Sequence, residues 1–130
     1  MKKILVIEDD DALSWVISRI LSSRYEIKVI KNGLEAMAWL TNGNLPEVII
    51  SDLHMPQLNG MELLQFLQHS GIYKEIPVII LSGDESPEIM RRCLELGAVK
   101  FILKPFGPEQ LINEVEHALK LKSVIKTNKE

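Results

Sequence analysis

Short apolar runs alternate with helical patterns along this chain, and the alternation strongly restricts its fold. Continuous apolar runs predict strands over 4–7, 48–51, 77–81 and 99–103. Residues 26–30 alternate polar and apolar side chains, which predicts a strand with one solvated face. Between these segments, apolar residues recur three and four positions apart, the period of an amphipathic helix. Five such strand–helix units in succession predict an α/β fold with a parallel sheet.

The polarity of each predicted strand indicates its place in the sheet. The first, third and fourth strands are the most continuously apolar, so we expect them in the centre, where helices cover both faces. The second strand is the most polar and belongs at an edge. These constraints agree with a five-stranded parallel sheet of order 2-1-3-4-5 with helices on both faces, a flavodoxin-like doubly wound fold. The order then reverses between the first and third strands.

Capping residues and apolar stripes predict where the helices begin and which faces they bury. Asp10 or Asp11 is expected to cap the first helix, and Ser86, followed by Pro87, the fourth. The expected inward residues of the first helix are Leu13, Val16, Ile17, Ile20 and Leu21. Those of the fourth helix are Met90, Cys93, Leu94 and Gly97.

Polar side chains stand where the apolar runs end. Glu8 and Asp9 follow the first run, Asp52 the third, Ser82 the fourth and Lys104 the fifth. In an open parallel sheet, ligands bind in the crevice beyond the carboxyl ends of the strands. Each residue alone is more often a helix cap or a solvated group, but their joint occurrence at four strand ends predicts a site with three carboxylates, a hydroxyl and an ammonium.

The charge balance of this predicted crevice favours a divalent cation. Three neighbouring carboxylates raise one another's pKa values unless a cation lies among them, and one lysine does not neutralise three acids. Mg²⁺ is commonly held by one or two carboxylates, with water and phosphate completing its shell. We expect Asp9 and Asp52 as direct ligands, Glu8 as a ligand through water, and a backbone carbonyl just after Asp52, that of His54, as a further ligand.

Asp52 is also placed to act as a nucleophile. A carboxylate can accept a phosphoryl group to give an acyl phosphate, and catalysis of such a transfer is mostly positioning and electrostatics. Mg²⁺, Lys104 and the Ser82 hydroxyl would each hold one phosphoryl oxygen. The Lys104-Pro105 pair predicts a cis peptide bond in a tight turn, which would fix the direction of the lysine.

Composition limits the classes of function. A chain of 130 residues fits one domain, which we predict over residues 1–121, with 122–130 as a polar tail or linker stub. The net charge of -3 gives no basic footprint for direct nucleic-acid binding, and no apolar run approaches the roughly 20 residues that cross a membrane. The single cysteine, Cys93, favours a reducing compartment, so we expect the cytoplasm.

Together these segments resemble the receiver (phosphoacceptor) domain of two-component response regulators. The matching segments are Ile-Leu-Val-Ile-Glu-Asp-Asp at 4–10, Val-Ile-Ile-Ser-Asp-Leu-His-Met-Pro at 48–56, Val-Ile-Ile-Leu-Ser-Gly at 78–83 and Phe-Ile-Leu-Lys-Pro-Phe at 101–106. The resemblance extends over nearly the whole chain. It implies that Asp52 is the phosphorylation site, that Glu8 and Asp9 form the acidic pocket, and that Lys104 is the lysine characteristic of the family.

The resemblance also implies a switch and its partners. Ser82 takes the place of the residue that senses the phosphoryl group, and Phe101 that of the switch aromatic. A histidine kinase or histidine phosphotransfer protein would supply the phosphoryl group. The surface of the fourth helix, fifth strand and fifth helix would then control a downstream effector, and a homodimer could form through the same surface. Such a domain is not a conventional enzyme, although it promotes its own phosphoryl transfer and dephosphorylation.

Several alternatives remain open at this point. His54 and Asp84 occupy positions that influence dephosphorylation in this family, yet a loop histidine is more often simply solvated. Trp15 either docks a phosphodonor partner or packs against a neighbouring helix or loop. The alternative function is a small phosphatase or phosphotransferase with an aspartate nucleophile, which would need a second acid where His54 stands. Whether the chain is a stand-alone receiver or part of a longer regulator also stays open.

Overall fold

A five-stranded parallel sheet forms the centre of the protein. The computed structural model describes residues 1–84 and 86–128, with side chains described up to residue 121. Within that range the strands are β1 (Lys3–Ile7), β2 (Glu26–Ile30), β3 (Val48–Asp52), β4 (Val78–Ser82) and β5 (Lys100–Leu103). Neighbouring strands run parallel in the order β2-β1-β3-β4-β5. The predicted α/β fold and strand order are confirmed.

Two central strands, β3 and β4, extend one residue beyond their predicted ends. Asp52 pairs with Leu81 across β3 and β4, and Ser82 pairs with Leu103 across β4 and β5. The N–H of Lys104 donates to the Ser82 carbonyl at 2.8 Å, which continues this ladder. The apolar run in the sequence ends at the first polar side chain, but the backbone hydrogen bonds between strands continue past it. Asp52 and Ser82 are therefore held by sheet hydrogen bonds rather than lying in loops.

Helices cover both faces of the sheet, as the doubly wound fold requires. They are α1 (Asp11–Leu21), α2 (Gly33–Thr41), α3 (Gly60–Gln68), α4 (Pro87–Glu95) and α5 (Pro108–Asn128). One core lies under α1 and α5 and includes Ile4, Val6, Ile17, Leu21, Ile50, Ile79, Leu111 and Val115. The other lies under α2, α3 and α4 and includes Leu5, Ile7, Ala36, Leu40, Ile49, Leu63, Leu67 and Cys93. Both cores are formed by alternate residues of the same strands.

The buried faces of α1 and α4 are narrower than predicted. Val16 is 42% exposed and Leu94 is 47% exposed, so the prediction that both point inward is wrong. Both helices lie over an outer part of the sheet, and α4 has only Cys93 fully buried. Their apolar stripes therefore extend past the surface that the sheet can cover.

The predicted caps hold in part. Asp10 caps α1 by accepting hydrogen bonds from the N–H groups of Ala12 and Leu13. Ser86 precedes α4 as predicted, but its side chain makes no capping hydrogen bond. Its N–H instead donates to Oδ1 of Asp84 at 2.9 Å, so the loop before α4 is ordered by the aspartate rather than by the serine.

The last helix continues past the predicted end of the domain. The α5 backbone reaches Asn128, beyond the boundary placed at residue 121. The division into 1–121 and 122–130 stays a prediction. Among the described residues, no helix is long and apolar enough to cross a membrane.

Candidate functional site

The carboxyl edge of the sheet brings the predicted acids together. Glu8 and Asp9 directly follow β1, and Asp52 is the last residue of β3, the neighbouring strand. One carboxylate oxygen from each of these residues lies within 4.8 Å of the others. Glu8 and Asp52 are 1% and 7% exposed, whereas Asp9 is exposed. The crevice therefore has two buried carboxylates and one at its mouth.

Lys104, which follows β5, reaches across the crevice to both buried acids. Its Nζ donates to Oδ1 of Asp52 at 2.8 Å and to Oε1 of Glu8 at 3.3 Å. Burial acts to lower the pKa of Lys104, but the hydrogen bonds and charges of Asp52 and Glu8 outweigh it, so the pKa is raised. The lysine stays charged and holds the two carboxylates close together. The Lys104-Pro105 peptide bond is cis, as predicted.

The surroundings of Glu8 raise the pKa of its carboxyl group. Burial is the main cause that raises its pKa from 4.5 to about 7, and the charge of Asp52 and a hydrogen bond with Asp9 raise it further. The N–H of Asp10, which donates to Oε2 of Glu8 at 3.1 Å, and the charge of Lys104 act in the opposite direction. A carboxylate in this state gains from any additional positive charge nearby.

The oxygen ligands and their charge fit a hard divalent cation. When ionised, the three carboxylates carry one negative charge each, and Lys104 supplies a single positive charge. The donor atoms are all oxygens, the type that Mg²⁺ prefers, and no soft ligand lies among them. The residues predicted as a metal site from the sequence thus have the geometry and chemistry for one.

The loop after β4 orders the Ser82 hydroxyl. Ser82 is fully buried, and its Oγ accepts a hydrogen bond from the N–H of Asp84 at 2.9 Å. Oδ2 of Asp84 lies 3.9 Å from Nε2 of His54, which follows β3. The two loops on either side of the crevice therefore approach each other at its rim. The His54 imidazole is two-thirds exposed, and its influence on the site stays a prediction.

Backbone support of Asp52 was not predicted from the sequence. The N–H of Gly60 donates to the Leu53 carbonyl at 2.9 Å, and the Ser51 hydroxyl donates to the Asp52 carbonyl at 3.0 Å. A Cβ atom at Gly60 would lie 2.9 Å from that same carbonyl oxygen. Only glycine lets α3 begin this close to the strand. The glycine after Asn59 was the available signal.

Phe101 lies on β5 within the core under α2, α3 and α4. Its side chain is 7% exposed, so the predicted switch aromatic is in an inward position. The strand that carries Phe101, β5, is an edge strand of the sheet and contacts α4.

An apolar groove adjoins the crevice. It encloses about 480 Å³ between α1 and the loop after β5 and is lined by Ala12, Leu13, Val16, Pro105 and Phe106, with Asp10 and Lys104 at its polar end. Trp15 on the same helix is 63% exposed, and the guanidinium of Arg19 lies 5.5 Å from its ring centre. Exposed apolar side chains beside a charged crevice mark a candidate partner surface.

Comparison with known proteins agrees with this geometry. The family model described as the response regulator receiver domain matches residues 4–116. This chain belongs to the response regulator receiver domain family. Its role is therefore that of a receiver in two-component signalling, whose members work with histidine kinases or phosphotransfer proteins. The phosphatase alternative gains no support, because the position two residues after Asp52 carries His54 instead of an acid.

Individual relatives cover most of this receiver. The two-component response regulator ORR3 of Oryza sativa subsp. indica is 38% identical over 109 residues, which is 83% of each chain. The signal receiver domain of a signal transduction histidine kinase from Syntrophus aciditrophicus is 33% identical with a TM-score of 0.85, over 92% of this chain and 91% of that one. The response regulator Rcp1, described in a Mn²⁺-bound form, is 26% identical with a TM-score of 0.77, over 95% and 93%.

Proposed function

We propose that this receiver accepts a phosphoryl group on Asp52 from a histidine kinase or histidine phosphotransfer protein, with Mg²⁺, and then controls a downstream protein. The observation that carries the proposal is the Asp52 carboxylate, which is bonded by Lys104 at 2.8 Å and lies within 4.8 Å of the Glu8 and Asp9 carboxylates. This carboxylate is largely buried at the crevice, where the ammonium of Lys104 orients it and Glu8 and Asp9 lie beside it.

The same residues suit the metal that the phosphoryl transfer needs. Asp9 and Asp52 would hold Mg²⁺ directly, Glu8 through water, and His54 through its backbone carbonyl. The ion would supply positive charge to the phosphoryl oxygens and to the clustered acids. The Mn²⁺-bound form of the relative Rcp1 supports a divalent cation in this family.

The chain's own side chains would carry the transfer. A carboxylate oxygen of Asp52 attacks phosphorus, an O–P bond forms, and the P–N bond to the donor histidine breaks, leaving the electron pair on the imidazole. Lys104 already bonds Asp52, so it is placed to pair with the incoming phosphoryl oxygens. The Ser82 hydroxyl, at the end of the adjacent strand, would bond a further oxygen. These residues position reactants, and the protein is not a conventional enzyme in this role.

A change in the bonding of Ser82 would start the switch. Its Oγ accepts from the N–H of Asp84, so a turn toward a phosphoryl group would release this hydrogen bond and loosen the loop before α4. Phe101 on β5 would respond and alter the surface of α4, β5 and α5. Arg91 and Lys100 on this surface are paired with Glu95 and Glu114 of the same chain. An effector or a second copy of the chain would bind there mainly through side chains that are not paired in this way, such as the exposed Leu94. These partners and the single cysteine Cys93 support a cytoplasmic location.

The phosphorylation site is tested with a small acyl phosphate donor. In the presence of Mg²⁺, intact-mass spectrometry should find one phosphoryl group on the wild type and none on Asp52→Asn. The matched control Asp11→Asn removes an exposed acid in the first turn of α1 and should be labelled like the wild type. Equal labelling of wild type and Asp52→Asn would refute the assignment.

The apolar groove is the proposed docking surface for the phosphodonor protein, since it opens next to Lys104. Val16→Glu places a charge in this groove and should slow transfer from a phosphorylated histidine donor by about tenfold or more. Labelling by the small acyl phosphate should stay unchanged, because that donor needs no docking surface. If Val16→Glu slows both reactions equally, the groove has no specific part in docking.

A further inference from the structure

Gly33, the first residue of α2, allows a neighbouring loop to approach this helix unusually closely. A Cβ atom at this position would lie 2.5 Å from the carbonyl oxygen of Leu58 and 3.0 Å from the Cβ and Cδ2 atoms of the same leucine. The oxygen belongs to the backbone, so it cannot move aside like the end of a flexible side chain. Any residue other than glycine would therefore displace the loop or the helix.

The loop in question connects β3 with α3. The N–H of Leu58 donates to the Pro56 carbonyl at 2.9 Å, which closes a tight turn around Gln57. Gln57 has a φ of 70°, a left-handed conformation that is unfavourable for a residue with a side chain. Leu58 packs against the core under α2, α3 and α4. This packing on a second element is a reason why the strained turn persists.

Both ends of the loop are fixed by other bonds. At the start, the N–H of Leu53 donates to the Leu81 carbonyl at 2.9 Å. At the end, Asn59 and Glu62 form a reciprocal capping box at the first turn of α3. A displacement at Leu58 must therefore be absorbed by the residues between these anchors, and His54 is one of them.

We propose that Gly33 is a positioning residue for the divalent-cation site. By letting Leu58 lie directly on α2, Gly33 holds the loop that carries His54, whose carbonyl is the proposed metal ligand. The inference rests on the proposed function, because it concerns the same metal site. Gly33 belongs to α2, a helix that provides none of the proposed metal ligands.

Gly33→Ala tests the positioning role. Alanine is otherwise the better helix residue, so any loss must come from the contact with Leu58. Calorimetric titration should show Mg²⁺ binding about tenfold weaker than in the wild type, the scale seen when a residue that supports a metal ligand is changed. The matched control is Gly71→Ala, whose added Cβ meets nothing within 4 Å and which should bind Mg²⁺ like the wild type.

A second variant keeps the test decisive if Gly33→Ala does not fold. Leu58→Ala leaves Gly33 in place and loosens the contact without overlap, so Mg²⁺ binding should weaken several-fold. Its control, Leu96→Ala, removes a partly buried leucine that packs on the same core. Urea unfolding without metal should show a stability loss in both, but only Leu58→Ala should lose Mg²⁺ affinity.

The outcomes separate the two proposals. Absence of Mg²⁺ binding by the wild type would refute the metal site itself. Wild-type binding with unchanged affinity in Leu58→Ala, and in Gly33→Ala if it folds, would refute the positioning role of Gly33 and leave the metal site intact. An equal loss of affinity in Leu58→Ala and Leu96→Ala would also refute it, because it would reduce the effect to general loosening of the core.

Discussion

The interior of the sheet and its carboxyl edge are formed by the same strands, but the interior buries apolar side chains whereas the edge buries carboxyl groups. Ile4, Ile50 and Ile79 lie in the interior, are fully buried and belong to one apolar core. The strands of Ile4 and Ile50 lead on to Glu8 and Asp52, which are nearly as buried but have ionisable carboxyl groups. Burial of apolar side chains in the interior stabilises the fold, which tolerates the cost of holding acids close together at the edge, where we propose that a cation binds.

Truncating a side chain in the interior should lower the free energy of unfolding without changing the affinity for Mg²⁺. Ile79→Ala removes fully buried methyl groups, so we expect the free energy of unfolding to fall by about 3 kcal/mol. Urea unfolding measures this, and Ile79→Val should lose only about 1 kcal/mol. Both folded variants should bind Mg²⁺ like the wild type. A changed Mg²⁺ affinity in Ile79→Ala would show that interior and edge are not separable.

The edge should respond to pH because of Glu8. The folded protein raises the pKa of this carboxyl from 4.5 to about 7, so it binds more protons than the unfolded chain between these values. The resulting stability is fully present below pH 4.5 and is lost as pH rises through about 7. The raised pKa of Lys104 does not enter, since it lies above this window.

Glu8→Gln isolates this contribution. The variant has no carboxyl to ionise, so without metal its unfolding free energy should exceed that of the wild type by on the order of 3 kcal/mol at pH 8 and match it near pH 4.5. Urea unfolding at both pH values measures the difference. Saturating Mg²⁺ should reduce it, because the cation favours the ionised wild-type carboxylate. A constant difference at all pH values would contradict the burial of a titrating Glu8.

The fold was largely predictable because its determinants are local or repetitive. Continuous apolar runs indicated the central strands, and the polar alternation of residues 26–30 indicated an edge. The meeting of Glu8, Asp9, Asp52 and Lys104 followed from one geometric fact, that the carboxyl ends of parallel strands share an edge. No contact had to be known individually for either prediction.

The burial of individual side chains and the contacts between distant segments were not predictable from the sequence. Val16 and Leu94 fit the helical period, yet they are exposed because the sheet does not extend beneath them. Glu8 and Asp9 are adjacent acids, but Glu8 is buried, which raises its pKa to about 7, whereas the Asp9 side chain is exposed. The contact between Gly33 and Leu58 joins distant segments, and sequence alone marks neither partner.

The shared metal site is tested most directly by calorimetric titration of the wild type and Asp9→Asn with Mg²⁺. Asp9 is exposed and follows β1, so its substitution should leave the fold intact while removing a proposed direct ligand. The wild type should bind one Mg²⁺ per chain, and Asp9→Asn should bind it at least tenfold more weakly. Equal affinity in the two proteins, or no binding by the wild type, would contradict a cation held between Asp9 and Asp52.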